Sequence, residues 1–176
     1  VQKARAESKK EKDEATPREW SPQIKLGLSV LIPEEYITDL ELRLGLYRRA
    51  STLKSNEEID DFALELTDRF GKMPQVTEHF LDTLKLKLLC LKANIARVDS
   101  GPKGVVITFH ENKVKNPQAL LEFIHKHKSQ MKIRPDQKLV VSYNAAQKDT
   151  KRRVEGLTKI ITTIAQFSNR EEAQAA

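Results

Sequence analysis

Residues 74–109 read PQVTEHFLDTLKLKLLCLKANIARVDSGPKGVVITF, and the apolar period changes partway along them. Leu81, Leu84, Leu88 and Leu91 recur at steps of three and four, with Val76 ahead of them, which predicts a helix over 74–94. Leu86, Leu89 and Cys90 fall on its other sides. A helix apolar on most sides belongs at the centre of a domain. Beyond Asn94 the step drops to two. Ile95–Asp99 and Val105–Phe109 read as strands, joined by the turn signal Ser100-Gly101-Pro102-Lys103-Gly104.

Upstream of this stretch, Ile24, Leu26, Leu28 and Val30 alternate with other residues as in a strand that ends at Pro33. Ile37, Leu40, Leu44 and Tyr47 then predict one buried helical stripe. Ser55 and Glu58 match a capping box, and Ile59, Phe62, Leu66 and Phe70 form the buried face of the helix it opens. Gly71 supplies that helix's C-cap, and Pro74 starts the next one.

Downstream, Asn116-Pro117 opens a short helix to about Lys126. Met131–Arg134 and Lys138–Tyr143 flank a Pro135-Asp136 turn. Val154, Leu157, Ile161 and Ile164 mark a last helix near 148–168. The order β-α-α-α-β-β-α-β-β-α predicts an α+β fold, a single domain with helices covering a small, mainly antiparallel sheet. The domain is expected over residues 22–169. Residues 1–21, with six basic and five acidic side chains and little to bury, are expected to be a flexible charged linker anchored by Trp20. Residues 170–176 are expected to be a disordered tail.

The chain has 176 residues, 39% hydrophobic and 32% charged, and carries a formal net charge of +6. No run approaches the roughly 20 apolar residues of a membrane helix. The single Cys90 excludes an internal disulfide and fits a reducing compartment. The charge is segregated: residues 34–84 hold 6 basic and 12 acidic side chains, whereas residues 85–153 hold 16 basic and 5 acidic ones. Two such halves suggest surfaces with different partners, or simply solvated helix faces.

Chemistry is hard to find. His79, His110, His125 and His127 lack metal-ligand spacing, and the last two point to different sides of a helix. Cys90 sits among leucines, where burial dulls a thiol. The six glycines form no phosphate loop, and no nucleophile elbow is present. The reading is of a chain without catalytic, cofactor or metal residues.

Two charged clusters remain. Asp61, Glu65 and Asp68 recur at steps of four and three on the side opposite the phenylalanines, with Arg69 one turn after Glu65. They are either a wet surface with a Glu65–Arg69 pair or a docking face for a partner that supplies arginines. Lys151, Arg152 and Arg153 stand at the start of the last helix, where the macrodipole disfavours cations, with Lys126, Lys128, Lys132 and Arg134 earlier in the chain. A basic nucleic-acid-binding module acting through residues 126–153 is the alternative function. Phe109, Phe123 and Tyr143 fall at core positions rather than being interleaved for base stacking.

The segments LIPEEYITDLELRLGLYRRAS (31–51) and ELTDRFGKMP (65–74), with the strand-rich part after them, resemble the C-terminal module of the bacterial transcription-repair coupling factors (Mfd). The resemblance runs from about Ile24 to Phe167. It implies a parent protein that is an ATP-dependent DNA translocase, with ATP and Mg in its motor. That parent displaces stalled RNA polymerase from duplex DNA and recruits UvrA for nucleotide excision repair. It further implies that this module is a non-catalytic, autoinhibitory part that covers the UvrA-binding surface of a UvrB-like N-terminal module. The family contacts from the E-L-x-D-R run carry over to Glu65, Asp68 and Arg69, with Asp61 beside them. Lys72 and Met73, inside the same run, are where partner fit could vary.

Overall fold

The computed structural model describes residues 20–144, 147 and 149–175. The linker expected over 1–21 therefore lies outside the described residues, except for its last two. The elements are β1 (Gln23–Lys25), α1 (Leu40–Ala50), α2 (Asn56–Phe70), α3 (Gln75–Lys92), β2 (Ile95–Ser100), β3 (Gly104–Phe109), α4 (Pro117–Lys126), β4 (Met131–Ile133), β5 (Leu139–Ser142) and α5 (Thr150–Ala175), with a 3-10 turn at His110–Asn112. Order and class match the expectation. The five strands form one sheet in the order β1-β2-β3-β5-β4. β1 runs parallel to β2 and every other pairing is antiparallel.

The helix α3 is the structural centre. Phe80, Leu81, Leu84 and Leu88 face one core, which also takes Ile32, Ile37, Leu46, Ala50, Ile59, Phe62 and Leu66. Leu86, Leu89 and Cys90 face a second core against the sheet, where Ile95, Val98, Ile107 and Leu139 meet Leu157, Ile161 and Ile164 of α5. The side chains of one helix thus wall two cores, which is why its leucines occur on more than one side.

Three readings need correction. The first strand covers only Gln23–Lys25, because Gly27 adopts a φ of +70° and the chain bends there. The stripe expected on α1 is displaced: Leu46 and Ala50 are buried, whereas Leu40 and Leu44 are 59% and 47% exposed. Asp39 caps the helix through the Leu42 amide, so Ile37 lies before the first turn and its spacing says nothing about the helical face. Finally, α5 runs on to Ala175, so residues 170–175 are helical rather than a disordered tail.

The other punctuation reads true. Ser55 Oγ accepts from the Glu58 amide at 3.1 Å, while the Glu58 carboxylate accepts from the Lys54 amide at 2.6 Å, one residue earlier than a standard capping box. Gly71 takes a φ of +84° after α2. Asn116 caps α4, with Pro117 in its first turn. Trp20 stacks on His110 with ring centroids 4.1 Å apart, which anchors the entry of the chain to the domain.

Gly104 leaves no room for a side chain between β3 and β5, since a Cβ there would lie 2.3 Å from the Val141 carbonyl oxygen. Gly104→Ala is expected to destabilise the chain by about 1–3 kcal/mol, through the strand shift needed to admit one methyl group. Urea denaturation should show that loss as a lower midpoint at unchanged slope.

Candidate functional site

The acidic cluster stands on α2, and four contacts fix how that helix is held. Tyr36 Oη shares its one proton between the Gly71 carbonyl at 2.8 Å and the Leu66 carbonyl at 3.0 Å, pinning the C-terminal turn to the segment before α1. The Tyr36 and Phe70 rings meet edge to face with centroids 6.0 Å apart. Lys85 of α3 pairs with Asp60 at 2.6 Å, fastening the neighbouring face. The inner side then buries Ile59, Phe62 and Leu66 completely, so α2 can present its other side in only one orientation.

On that outer side Glu65 is a hub. Its carboxylate pairs with Arg69, one turn on, at 3.0 Å. It also bonds the Arg49 guanidinium from the end of α1. Hydrogen bonds from Arg49 and then Arg69 outweigh the effect of burial and hold the Glu65 carboxyl at about 2, well below the usual glutamate value. Each arginine also lies over a ring, Arg49 over Phe62 at 5.2 Å and Arg69 over Phe70 at 5.0 Å. Glu65 therefore ties two helices together and orients two guanidinium groups, with its own charge already engaged.

Asp61 and Asp68 are different. Both are exposed, and neither has an ion pair or side-chain hydrogen bond among the described residues. Between them stands Leu64, at steps of three and four, 69% exposed. The cluster expected from spacing is thus gathered on one face, but it is divided into a clasp (Glu65 with Arg49 and Arg69) and a free part (Asp61, Leu64 and Asp68).

Two members of this face were missed. Arg49 lies sixteen residues from Glu65 on another helix, beyond the reach of helical periodicity. Leu64 did leave a signal: it is the one large aliphatic side chain of α2 off the 59-62-66-70 stripe, and a leucine between aspartates at helical spacing needs an explanation.

The basic residues sit elsewhere. Arg153 lies 4.5 Å over the Tyr143 ring and its Nε donates to the Gln147 carbonyl at 3.0 Å. Asp149 accepts from the Arg152 amide at 2.8 Å, and its other carboxylate oxygen lies 3.6 Å from the Arg152 guanidinium. Arg134 pairs with Asp136 at the turn between β4 and β5, far from Arg153 along the sheet. The basicity that is continuous along the chain is therefore split in space.

No group of three His, Cys, Asp or Glu residues able to hold a metal exists among the described residues. Cys90 is fully buried, and burial pushes its thiol up to about 12, which makes it core filler rather than a nucleophile. No helix among the described residues is long and apolar enough to cross a membrane.

This combination defines a class: an α+β domain whose outstanding surface is a rigidly held, charged helix face. The TRCF domain family matches residues 26–120, more than half of the chain. The chain belongs to that family. It is 45% identical over 131 residues to the transcription-repair-coupling factor of Rickettsia conorii, covering 73% of this chain and 12% of that protein. Against the Haemophilus influenzae protein of the same name, the figures are 32% identity over 142 residues, 81% of this chain and 12% of the relative. The chain thus spans about an eighth of the length of these relatives. A crystal structure of the C-terminal domain of transcription-repair coupling factor superposes with a TM-score of 0.68, covering 89% of this chain and 97% of that one at 15% identity, and so shares the fold.

The Glu65 clasp has a testable pH signature. Its carboxyl sits lower folded than unfolded, so its stabilising contribution is present above the ordinary glutamate value and fades as pH falls toward about 2. Glu65→Gln should cost about 0.5–1 kcal/mol near neutral pH. Thermal melts of parent and variant should converge across that acidic window.

Proposed function

We propose that this chain is the non-catalytic, autoinhibitory docking module of a longer bacterial transcription-repair coupling factor. In this reading the outer face of α2 seats against a UvrB-like N-terminal module of the same protein and covers the surface that binds UvrA. The observation that carries it is Leu64, exposed between the free carboxylates of Asp61 and Asp68 on a helix whose inner side is locked in place. An apolar side chain ringed by charge suits a partner with an apolar socket rimmed by arginines. The leucine supplies desolvated contact and the carboxylates supply orientation.

The clasp gives Glu65 and Arg69 a role distinct from that of Asp68. Glu65 holds the Arg49 and Arg69 guanidinium groups, so Arg69 can reach outward only from a fixed position. Asp68 offers its charge directly. Tethering within one protein raises the effective concentration of the two surfaces, so a small interface suffices to keep the module closed. A competing contact worth a few kcal/mol opens it. The ATP-driven DNA translocase, with its ATP and Mg, the contact with RNA polymerase and the place in the bacterial cytoplasm belong to the parent protein in this reading. None of this chain's residues is assigned to them.

The test uses the full-length parent and purified UvrA. Asp68→Ala and Leu64→Asp should each raise UvrA affinity at least about 10-fold, the response to losing a closed state worth 1.4 kcal/mol. Leu40→Asp, on the exposed side of α1, should leave it unchanged. Equal UvrA affinity for the parent protein and both α2 variants would refute the docking face.

A further inference from the structure

Several of the basic residues that the docking face leaves unexplained gather at one end of the sheet. β1 ends at Lys25 opposite Asp99, near the last residue of β2. The turn to β3 carries Lys103, and Gly104 pairs with Ser142 at the end of β5. The Ser142 amide donates to the Gln130 carbonyl at 2.7 Å, which brings the turn after α4, with Lys128, to the same end. Tyr143 follows, bonded through its amide to the Lys103 carbonyl at 2.9 Å. Arg153, in the first turn of α5, covers the Tyr143 ring.

Lys25, Lys103, Lys128 and Lys151 are all exposed, with no ion pair among the described residues. The nearby carboxylates are largely committed, Asp99 to Arg97 at 2.6 Å and Asp149 to Arg152. Glu155 is a further acid, one turn into α5, and Glu78 and Asp82 of α3 line a neighbouring cavity with it and Lys151. Lys151, Arg152 and Arg153 also crowd the positive end of a 26-residue helix, an arrangement that a neighbouring anion relieves.

Within this end lies a cavity of about 260 Å³ lined by Ser100, Tyr143, Thr150 and Arg153, over a floor that includes Leu26 and Leu157. Ser100 Oγ and Tyr143 Oη share a hydrogen bond. Hydroxyl groups beside a guanidinium match the acceptor oxygens of a phosphoryl group. The cations are also spread: Lys25 sits at one edge strand and Lys128 beside the other, four strand spacings or about 19 Å apart. A row of that width suits a repeating polyanion rather than a single carboxylate. Tyr143 is half-buried beneath Arg153 and not free to stack on a base, so the row can read only the backbone.

We propose that this end of the sheet is a phosphate-backbone contact surface for nucleic acid, sequence-independent, with Arg153 and the hydroxyl-lined cavity as its anchor. It stands on charge and topology alone and is independent of the docking face on α2.

The experiment is fluorescence anisotropy of the 176-residue chain with a labelled DNA duplex of arbitrary sequence, across a salt titration. Saturable binding is expected at low salt, weakening linearly on a log–log plot. Lys103→Glu with Lys151→Glu should lower affinity at least about 10-fold and flatten the slope by about 2, near the loss of two phosphate contacts. Arg134→Glu with Lys138→Glu makes the same change in net charge at the opposite end, where the Arg134 amide donates to the Lys138 carbonyl, and should alter affinity less than about 2-fold on the same scale. Circular dichroism checks each fold, and Lys103→Gln with Lys151→Gln replaces the charge reversal if that variant misfolds. No saturable binding at low salt would overturn the proposal. So would equal losses in the two variants, or competition by polyglutamate as effective as that by unlabelled duplex.

Discussion

Everything in this domain depends on α3 being packed on two flanks at once, with only the strip of Gln75, Glu78, Asp82 and Lys92 left exposed to water. Its leucines divide between two cores, one built with α1 and α2 and the other with the sheet and α5. The packing of a helix on both flanks removes the freedom to rotate about its own axis, because any turn that improves one core empties the other. The first turn of α3 extends this control to the chain entering the domain. Thr77 donates to the Leu31 carbonyl at 3.1 Å, and the Leu31 amide donates back to the Val76 carbonyl at 3.2 Å. The segment before α1, which carries Tyr36 and so holds the end of α2, is thereby fixed to the central helix.

That rigidity is what makes the two charged surfaces distinct. The acidic face belongs to helices packed on one flank of α3, and the basic end belongs to the sheet packed on the other. The acid-rich and base-rich halves of the chain fold largely as separate layers. Apart from the Lys85–Asp60 pair between α3 and α2, the two layers keep their signs largely at their own surfaces. A protein organised in this way can engage two unlike partners without either contact neutralising the other.

Much of this was legible from periodicity and punctuation. The change of step at Asn94, the Ser55 and Asn116 caps and the glycine after Phe70 set the order of elements, because each is a local requirement of backbone geometry. What failed was what depends on relations across the fold. Leu40 and Leu44 have helical spacing but no core within reach, and nothing in their neighbours reveals that. The clasp shows the same limit. Periodicity finds Glu65–Arg69, a pair within one helix, but not Arg49, whose position follows from how two helices cross. The face on α2 was found as a charged row, yet its division into engaged and free carboxylates is a tertiary fact. The basic residues, continuous in sequence, are separated by the length of β5, because a strand carries its two ends to opposite rims of the sheet.

The stack of Trp20 on His110 has a mechanical reach beyond its contact area. The His110 amide donates to the Asn94 carbonyl at 2.8 Å, at the joint where α3 gives way to β2. Asn94 itself holds a left-handed φ of 57° there and donates through its side-chain amide to the Lys113 carbonyl at 2.8 Å. The indole is thus coupled, through the His110 backbone, to the single left-handed residue at which α3 gives way to β2.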